Sequence, residues 1–103
     1  MTDLLKGKAG LVTAAGSGIG RASALALANA GAKVMVSDVS EEGGQETVNL
    51  IKEIGGEARF FKCDVSDEEQ VKALIDETVS AFGKLDFAHN NAGINAGSVN
   101  NFV

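Results

Sequence analysis

A glycine-rich turn between an apolar run and an alanine-rich segment constrains this chain more than any other feature. Ala9-Gly10-Leu11-Val12 leads into Thr13-Ala14-Ala15-Gly16-Ser17-Gly18-Ile19-Gly20, and Arg21-Ala22-Ser23-Ala24-Leu25-Ala26-Leu27-Ala28 follows. The order reads as strand, tight turn, helix. A helix N-terminus presents unpaired N–H groups and partial positive charge, so it can hold a phosphate group. Glycines in the turn admit positive φ and let the backbone approach a ligand closely. One reading places a dinucleotide pyrophosphate on the backbone of Ser17, Gly18, Ile19 and Gly20. A plain strand-to-helix turn would also need the glycines, and their spacing alone leaves both readings open.

The rest of the chain repeats the alternation. Residues 8–14 form a nearly continuous apolar run, as expected of a parallel strand covered on both faces. The first helix puts Ile19, Ala22, Ala26, Leu27 and Ala30 on one stripe and ends at Gly31. Lys33-Val34-Met35-Val36-Ser37-Asp38 is a second strand. Ser40 caps a helix over about 41–55, with Val48, Ile51 and Ile54 as its buried face and Gly55-Gly56 as its end. Gly43 and Gly44 weaken its first turn by about 1 kcal/mol each relative to alanine. Ala58-Arg59-Phe60-Phe61-Lys62-Cys63 is a third strand.

Ser66-Asp67-Glu68-Glu69 reads as a capping box opening a helix that carries Val71, Leu74, Ile75, Thr78 and Phe82 on one face and stops at Gly83. Residues 85–90 are a fourth strand running into Asn91-Ala92-Gly93. This βαβαβαβ pattern predicts an α/β fold of the Rossmann type, a doubly wound parallel sheet with strand order 3-2-1-4. Nothing in the pattern marks a second domain, a repeat or a linker.

Charge narrows the partners. The net charge of −5 argues against nucleic acid or an anionic membrane as a partner, and no stretch approaches the length of a membrane span. The single cysteine, Cys63, excludes an intramolecular disulfide and fits a reducing, cytoplasmic setting, where it serves as a small buried hydrophobe. No signal-peptide pattern opens the sequence. His89 has no cysteine, histidine or acidic partner at ligand spacing, so it reads as a packed or edge residue, and no metal site is expected. A phosphate-binding NTPase is excluded by the lack of Gly-x-x-x-x-Gly-Lys-Ser/Thr.

In such a sheet, ligands lie beyond the carboxyl ends of the strands. Asp38 falls there, eighteen positions after Gly20. Its carboxylate can accept both ribose hydroxyls of NAD and would repel the 2′-phosphate of NADP. With Ser17 in place of a basic residue and no arginine following Asp38, NAD is the expected cofactor. Asp64-Val65 ends the third strand, and Asn90-Asn91-Ala92-Gly93 ends the fourth. Asparagine side chains both donate and accept, so they suit pinning two strand ends together.

These segments together resemble the short-chain dehydrogenase/reductase family. Thr13, Gly18, Ile19 and Gly20 match its Thr-Gly-x-x-x-Gly-Ile-Gly motif, with Ala14 at the family's first glycine, and residues 90–93 match its Asn-Asn-Ala-Gly segment. The resemblance spans residues 8 to 93. It implies that Ser17, Gly18, Ile19 and Gly20 hold the pyrophosphate, Asp38 the adenosine ribose, and Asp64 and Val65 the adenine. It implies that Asn91, with Gly93, runs under the other ribose. It further implies hydride transfer between a nicotinamide and an alcohol or ketone, catalysed by a Tyr-x-x-x-Lys pair beyond the Asn-Asn-Ala-Gly segment.

The sequence contains no tyrosine, and Ser98, Asn100 and Asn101 lie too close to the motif to be given catalytic roles. No catalytic residue is therefore assigned. The chain reads as the cofactor-binding portion of such an oxidoreductase, with its fourth strand as the last. The alternative is a non-catalytic nucleotide-binding or interaction module. Either way, the fourth strand lies at a sheet edge, so self-association through residues 85–91 is expected.

Overall fold

A computed structural model describes residues 4–90. The elements alternate as β1 (Ala9–Thr13), α1 (Gly18–Asn29), β2 (Lys33–Asp38), α2 (Glu41–Glu53), β3 (Glu57–Lys62), α3 (Glu68–Phe82) and β4 (Phe87–Asn90). The four strands are parallel in the order β3-β2-β1-β4, as the alternating pattern predicted. All five residues of β1 are buried, because both faces of this central strand are covered.

Side chains alternate across the sheet. Val12, Val34 and Val36 point to the face packed by Ala24 and Ala28 of α1 and Val48 and Ile51 of α2. Ala9, Leu11 and Met35 point to the opposite face, where Leu74 and Phe82 of α3 close a second cluster with Cys63. Burying a side chain such as Ile51 or Leu74 contributes about 1.5–3 kcal/mol each. Burial also raises the Cys63 thiol's pKa, since the thiolate would lose its hydration, and Cys63 is buried as expected.

Three expectations are corrected. The buried stripe of α1 is Gly20, Ala24 and Ala28, while Ala22 and Ala26 are exposed and Ile19 is 77% exposed. Alanine on every side of this helix leaves its apolar periodicity without contrast, and the sheet selects the smallest stripe. A Cβ on Gly20 would collide with the carbonyl oxygen of Ala14, so only glycine lets the helix sit this close to the turn. In α2, Thr47 joins Val48 and Ile51 in the interior, and Ile54 lies beyond the helix, 42% exposed. The α3 N-cap is Asp67, whose carboxylate accepts from the N–H groups of Glu69 and Gln70, while Ser66 bonds to Asp64.

Helix ends otherwise follow their residues. Ser40 Oγ accepts from Gly43 N at 3.1 Å to cap α2. Gly31 and Gly83 take positive φ just past the ends of α1 and α3. The two glycines in the first turn of α2 have a packing reason. A Cβ on Gly43 would stand 2.7 Å from the Gly16 carbonyl oxygen, and one on Gly44 would enter the Phe60 ring.

Candidate functional site

The carboxyl ends of the strands bring the glycine turn, Asp38 and Asp64-Val65 to one edge. Two clefts meet there, and Asp38 lines both. One, of about 700 Å³, lies between the N-termini of α1 and α2 and includes Gly16, Ser17, Arg21, Ser40 and Gly43. The other, of about 180 Å³, is bounded by Ala14, Val39, Cys63, Asp64 and Val65.

The turn supplies the first part of the site. Ser17 is the N-cap of α1 in extended conformation, and its side chain caps nothing. The first turn of α1 has no acidic residue, whereas α2 and α3 have side-chain caps and two acids each. The positive end of α1 thus has neither a side-chain cap nor an acidic residue of its own first turn. Gly18 has φ +57° and open space where a Cβ would be, and Ile19 projects outward. Ala14, at the position where the resembling motif has glycine, also takes positive φ, at 52°. It is the one non-glycine residue to do so among those described.

Asp38 is held by backbone. Its Oδ2 accepts from Gly16 N and its Oδ1 from Ser40 N, both at 2.8 Å. Each carboxylate oxygen has a second lone pair, so Asp38 can still accept two donors from a ligand. A Cβ on Gly16 would come within 2.9 Å of this carboxylate, so glycine at 16 lets the turn meet Asp38. Val39, 60% exposed, gives the smaller cleft an apolar wall.

Asp64 is exposed, and Ser66 donates to its Oδ1 from both hydroxyl and N–H, which holds the carboxyl below the usual carboxylate range. Val65 is half-buried beside it. At the fourth strand, Thr13 Oγ1 donates to Asn90 Oδ1 at 2.7 Å, which pins β4 to β1. His89 is exposed, with Nε2 at 3.5 Å from Ser23 Oγ. Asn91 and Gly93 lie outside the described residues. Among the described residues, no group of three or more His, Cys, Asp and Glu could hold a metal, and no helix is long and apolar enough to cross a membrane.

Sequence reasoning missed Arg21. Its Nη2 donates to Gly16 O at 2.6 Å, Gly43 O at 3.3 Å and Glu46 Oε1 at 3.0 Å, and its Nε donates to Thr47 Oγ1 at 2.9 Å. One signal could have found it. A cation near a helix N-terminus opposes the helix dipole, so its position asks for a specific partner.

The residues present fit a dinucleotide. An uncapped helix start suits a diphosphate, glycines open the approach, and a fixed carboxylate beside them suits a sugar diol.

Comparison with known proteins gives the same direction. A profile of the short chain dehydrogenase family matches residues 8–102. An uncharacterised oxidoreductase of Thermotoga maritima is 53% identical over 90 residues, which are 86% of this chain and 35% of that protein. The 2,5-dichloro-2,5-cyclohexadiene-1,4-diol dehydrogenase of Sphingobium indicum is 49% identical over 91% of this chain and 36% of its own length. Among solved structures, a short chain dehydrogenase from Mycobacterium avium superposes with TM-score 0.84 at 42% identity, covering 88% of this chain and 36% of that one. A hydroxysteroid dehydrogenase from Escherichia coli gives 0.82 at 40% identity, over 84% and 37%. The chain therefore spans about a third of the length of these relatives. It belongs to the short-chain dehydrogenase family.

Proposed function

We propose that residues 1–103 are the NAD-binding portion of an oxidoreductase of this family. In a protein of the relatives' length, hydride would pass between the nicotinamide and an alcohol or ketone. Ser17, Gly18, Ile19 and Gly20 would take the pyrophosphate, Asp38 the adenosine ribose, Asp64 and Val65 the adenine, and Asn91 with Gly93 the second ribose. NAD, when bound, supplies the hydride-accepting ring; this chain's residues bind and orient it.

The observation that carries the reading is the Asp38 carboxylate, fixed by two backbone N–H groups beside an uncapped helix N-terminus. A fixed carboxylate favours a neutral diol over a 2′-phosphate by charge, which supports NAD over NADP. A 7α-hydroxysteroid dehydrogenase solved with NADH and 7-oxo glycochenodeoxycholic acid shares 39% identity and TM-score 0.81 over 84% of this chain and 34% of its own, which supports a nicotinamide cofactor here.

The test is Asp38→Ala. NADH affinity should fall and the preference over NADPH should relax. An unchanged preference would remove Asp38 from the site.

The lone buried cysteine supports a cytoplasmic location. The place of β4 at one edge of the described four-stranded sheet supports self-association through residues 85–91. A monomer in sedimentation at high concentration would rule that out.

A further inference from the structure

Two successive peptide groups of the glycine turn are held by two side chains that bond to each other, Arg21 and Thr47. The peptide between Gly16 and Ser17 is anchored at its carbonyl, where Arg21 Nη2 donates at 2.6 Å. The peptide between Ala15 and Gly16 is anchored at its carbonyl by Thr47, whose hydroxyl donates to Ala15 O at 2.7 Å. Thr47 is fully buried, and its oxygen accepts from Arg21 Nε at 2.9 Å. Arg21 thus reaches the second peptide through Thr47.

A trans peptide is planar, with its C=O and N–H pointing opposite ways. Fixing the Ala15 carbonyl aims the Gly16 N–H, and that N–H donates to Asp38 Oδ2 at 2.8 Å. Fixing the Gly16 carbonyl likewise aims the Ser17 N–H away from Arg21. The Arg21 side chain is only 24% exposed, and Glu46, its ionic partner, is 63% exposed. The guanidinium is therefore held mainly by Gly16 O and Thr47, its two shortest bonds, and less by a surface ion pair.

We propose that Arg21, acting with Thr47, is the positioning residue that orients the glycine turn and through it the Asp38 carboxylate, and so sets the preference between the two nicotinamide dinucleotides. It rests on the assignment of Asp38 to the adenosine ribose. A carboxylate held in one place repels a 2′-phosphate; one free to rotate away repels it less. Neither Arg21 nor Thr47 needs to touch the cofactor. Arginine is required because a planar fork serves acceptors in different directions at once, which a lysine ammonium on a flexible stem does not.

The test titrates NADH and NADPH, by nicotinamide fluorescence, into the wild type and into Arg21→Ala, Arg21→Lys, Thr47→Val and Thr47→Ser, with urea denaturation of each variant alongside. Arg21→Ala and Thr47→Val should bind NADH about tenfold more weakly and lose less affinity for NADPH, so the preference narrows. Thr47→Ser keeps the hydroxyl and should keep the wild-type preference, while Arg21→Lys should not restore it. If Arg21→Ala does not fold, the Thr47→Val and Thr47→Ser pair decides.

Equal losses for both nucleotides, tracking the loss of stability, would make the clamp merely structural and overturn the proposal. A larger loss for NADPH in Arg21→Ala would make Arg21 a phosphate ligand, which also overturns it. A preference abolished by Asp38→Ala but untouched by Thr47→Val overturns this proposal alone. Failure of the wild type to bind NADH overturns the underlying assignment, and the proposal with it.

Discussion

Ala14 is where the backbone of the turn is strained, and removing its methyl group tests that geometry. At φ 52° it occupies the left-handed region, which costs a residue with a Cβ about 1–2 kcal/mol. Ala14→Gly removes that cost but enlarges the unfolded ensemble, a loss of about 0.4–1 kcal/mol. Ala14 is half-buried, so deleting its methyl forfeits about 0.4 kcal/mol, half the value of a buried methylene.

The balance is a gain of about 0.5 kcal/mol, or a rise in Tm of about 2–4 °C for a chain of this size. Ala14→Val works in the opposite direction. A β-branched residue at this φ is a genuine outlier, and the variant should lose about 1–3 kcal/mol. With no tryptophan or tyrosine in the sequence, the assay is urea denaturation followed by far-UV circular dichroism. A glycine variant clearly less stable than wild type, beside a neutral valine variant, would refute the strain at Ala14.

Other expectations follow from single contacts. Gly20→Ala should destabilise by about 2 kcal/mol or more, because its Cβ meets a backbone oxygen that cannot move cheaply; a variant within 0.5 kcal/mol of wild type, on the order of an ordinary surface change, would contradict the close packing of α1 on the turn. Ser37 Oγ is buried with nothing but the weakly hydrogen-bonding Cys63 thiol beside it, so Ser37→Ala should be neutral or stabilising by about 1 kcal/mol in the same denaturation assay; a clear loss would show that the hydroxyl is well satisfied.

Asp86 accepts from Ala9 N–H at 2.8 Å, which holds its carboxyl below the usual range, aided by Lys84. A depressed folded pKa contributes stability that is present above the ordinary carboxylate pKa and lost as pH falls through the lowered one. Asp86→Asn should therefore flatten the decline of the urea midpoint below about pH 4, and an unchanged slope would exclude this group.

The strands and their order were legible because β1 and β2 carry short apolar runs, Phe60-Phe61 mark β3, and glycines or capping residues punctuate the alternation with helices. Asp38 was legible because a carboxylate ending the second strand must lie on the same edge as the turn. The buried face of α1 was not, since Ala22, Ala24, Ala26 and Ala28 differ in nothing that periodicity can weigh; a clash at Gly20 chose among them. The α3 cap was misplaced because Ser66 and Asp67 are both good caps, and the nearby Asp64 carboxylate takes up the Ser66 hydroxyl. Arg21 and Thr47 escaped notice because their partners are main-chain carbonyls and one another, which leave no mark on residue spacing.

The central claim is that the start of α1 and the Asp38 edge form a dinucleotide site. Titrating NAD into isotopically labelled protein and following backbone amide resonances tests it residue by residue. The largest shifts are expected at Ser17, Gly18, Ile19 and Gly20, with further shifts at Asp38, Val39 and Asp64, and little change at the capped N-terminus of α3 near Glu69. Shifts absent at millimolar NAD, or gathered away from the glycine turn, would contradict it.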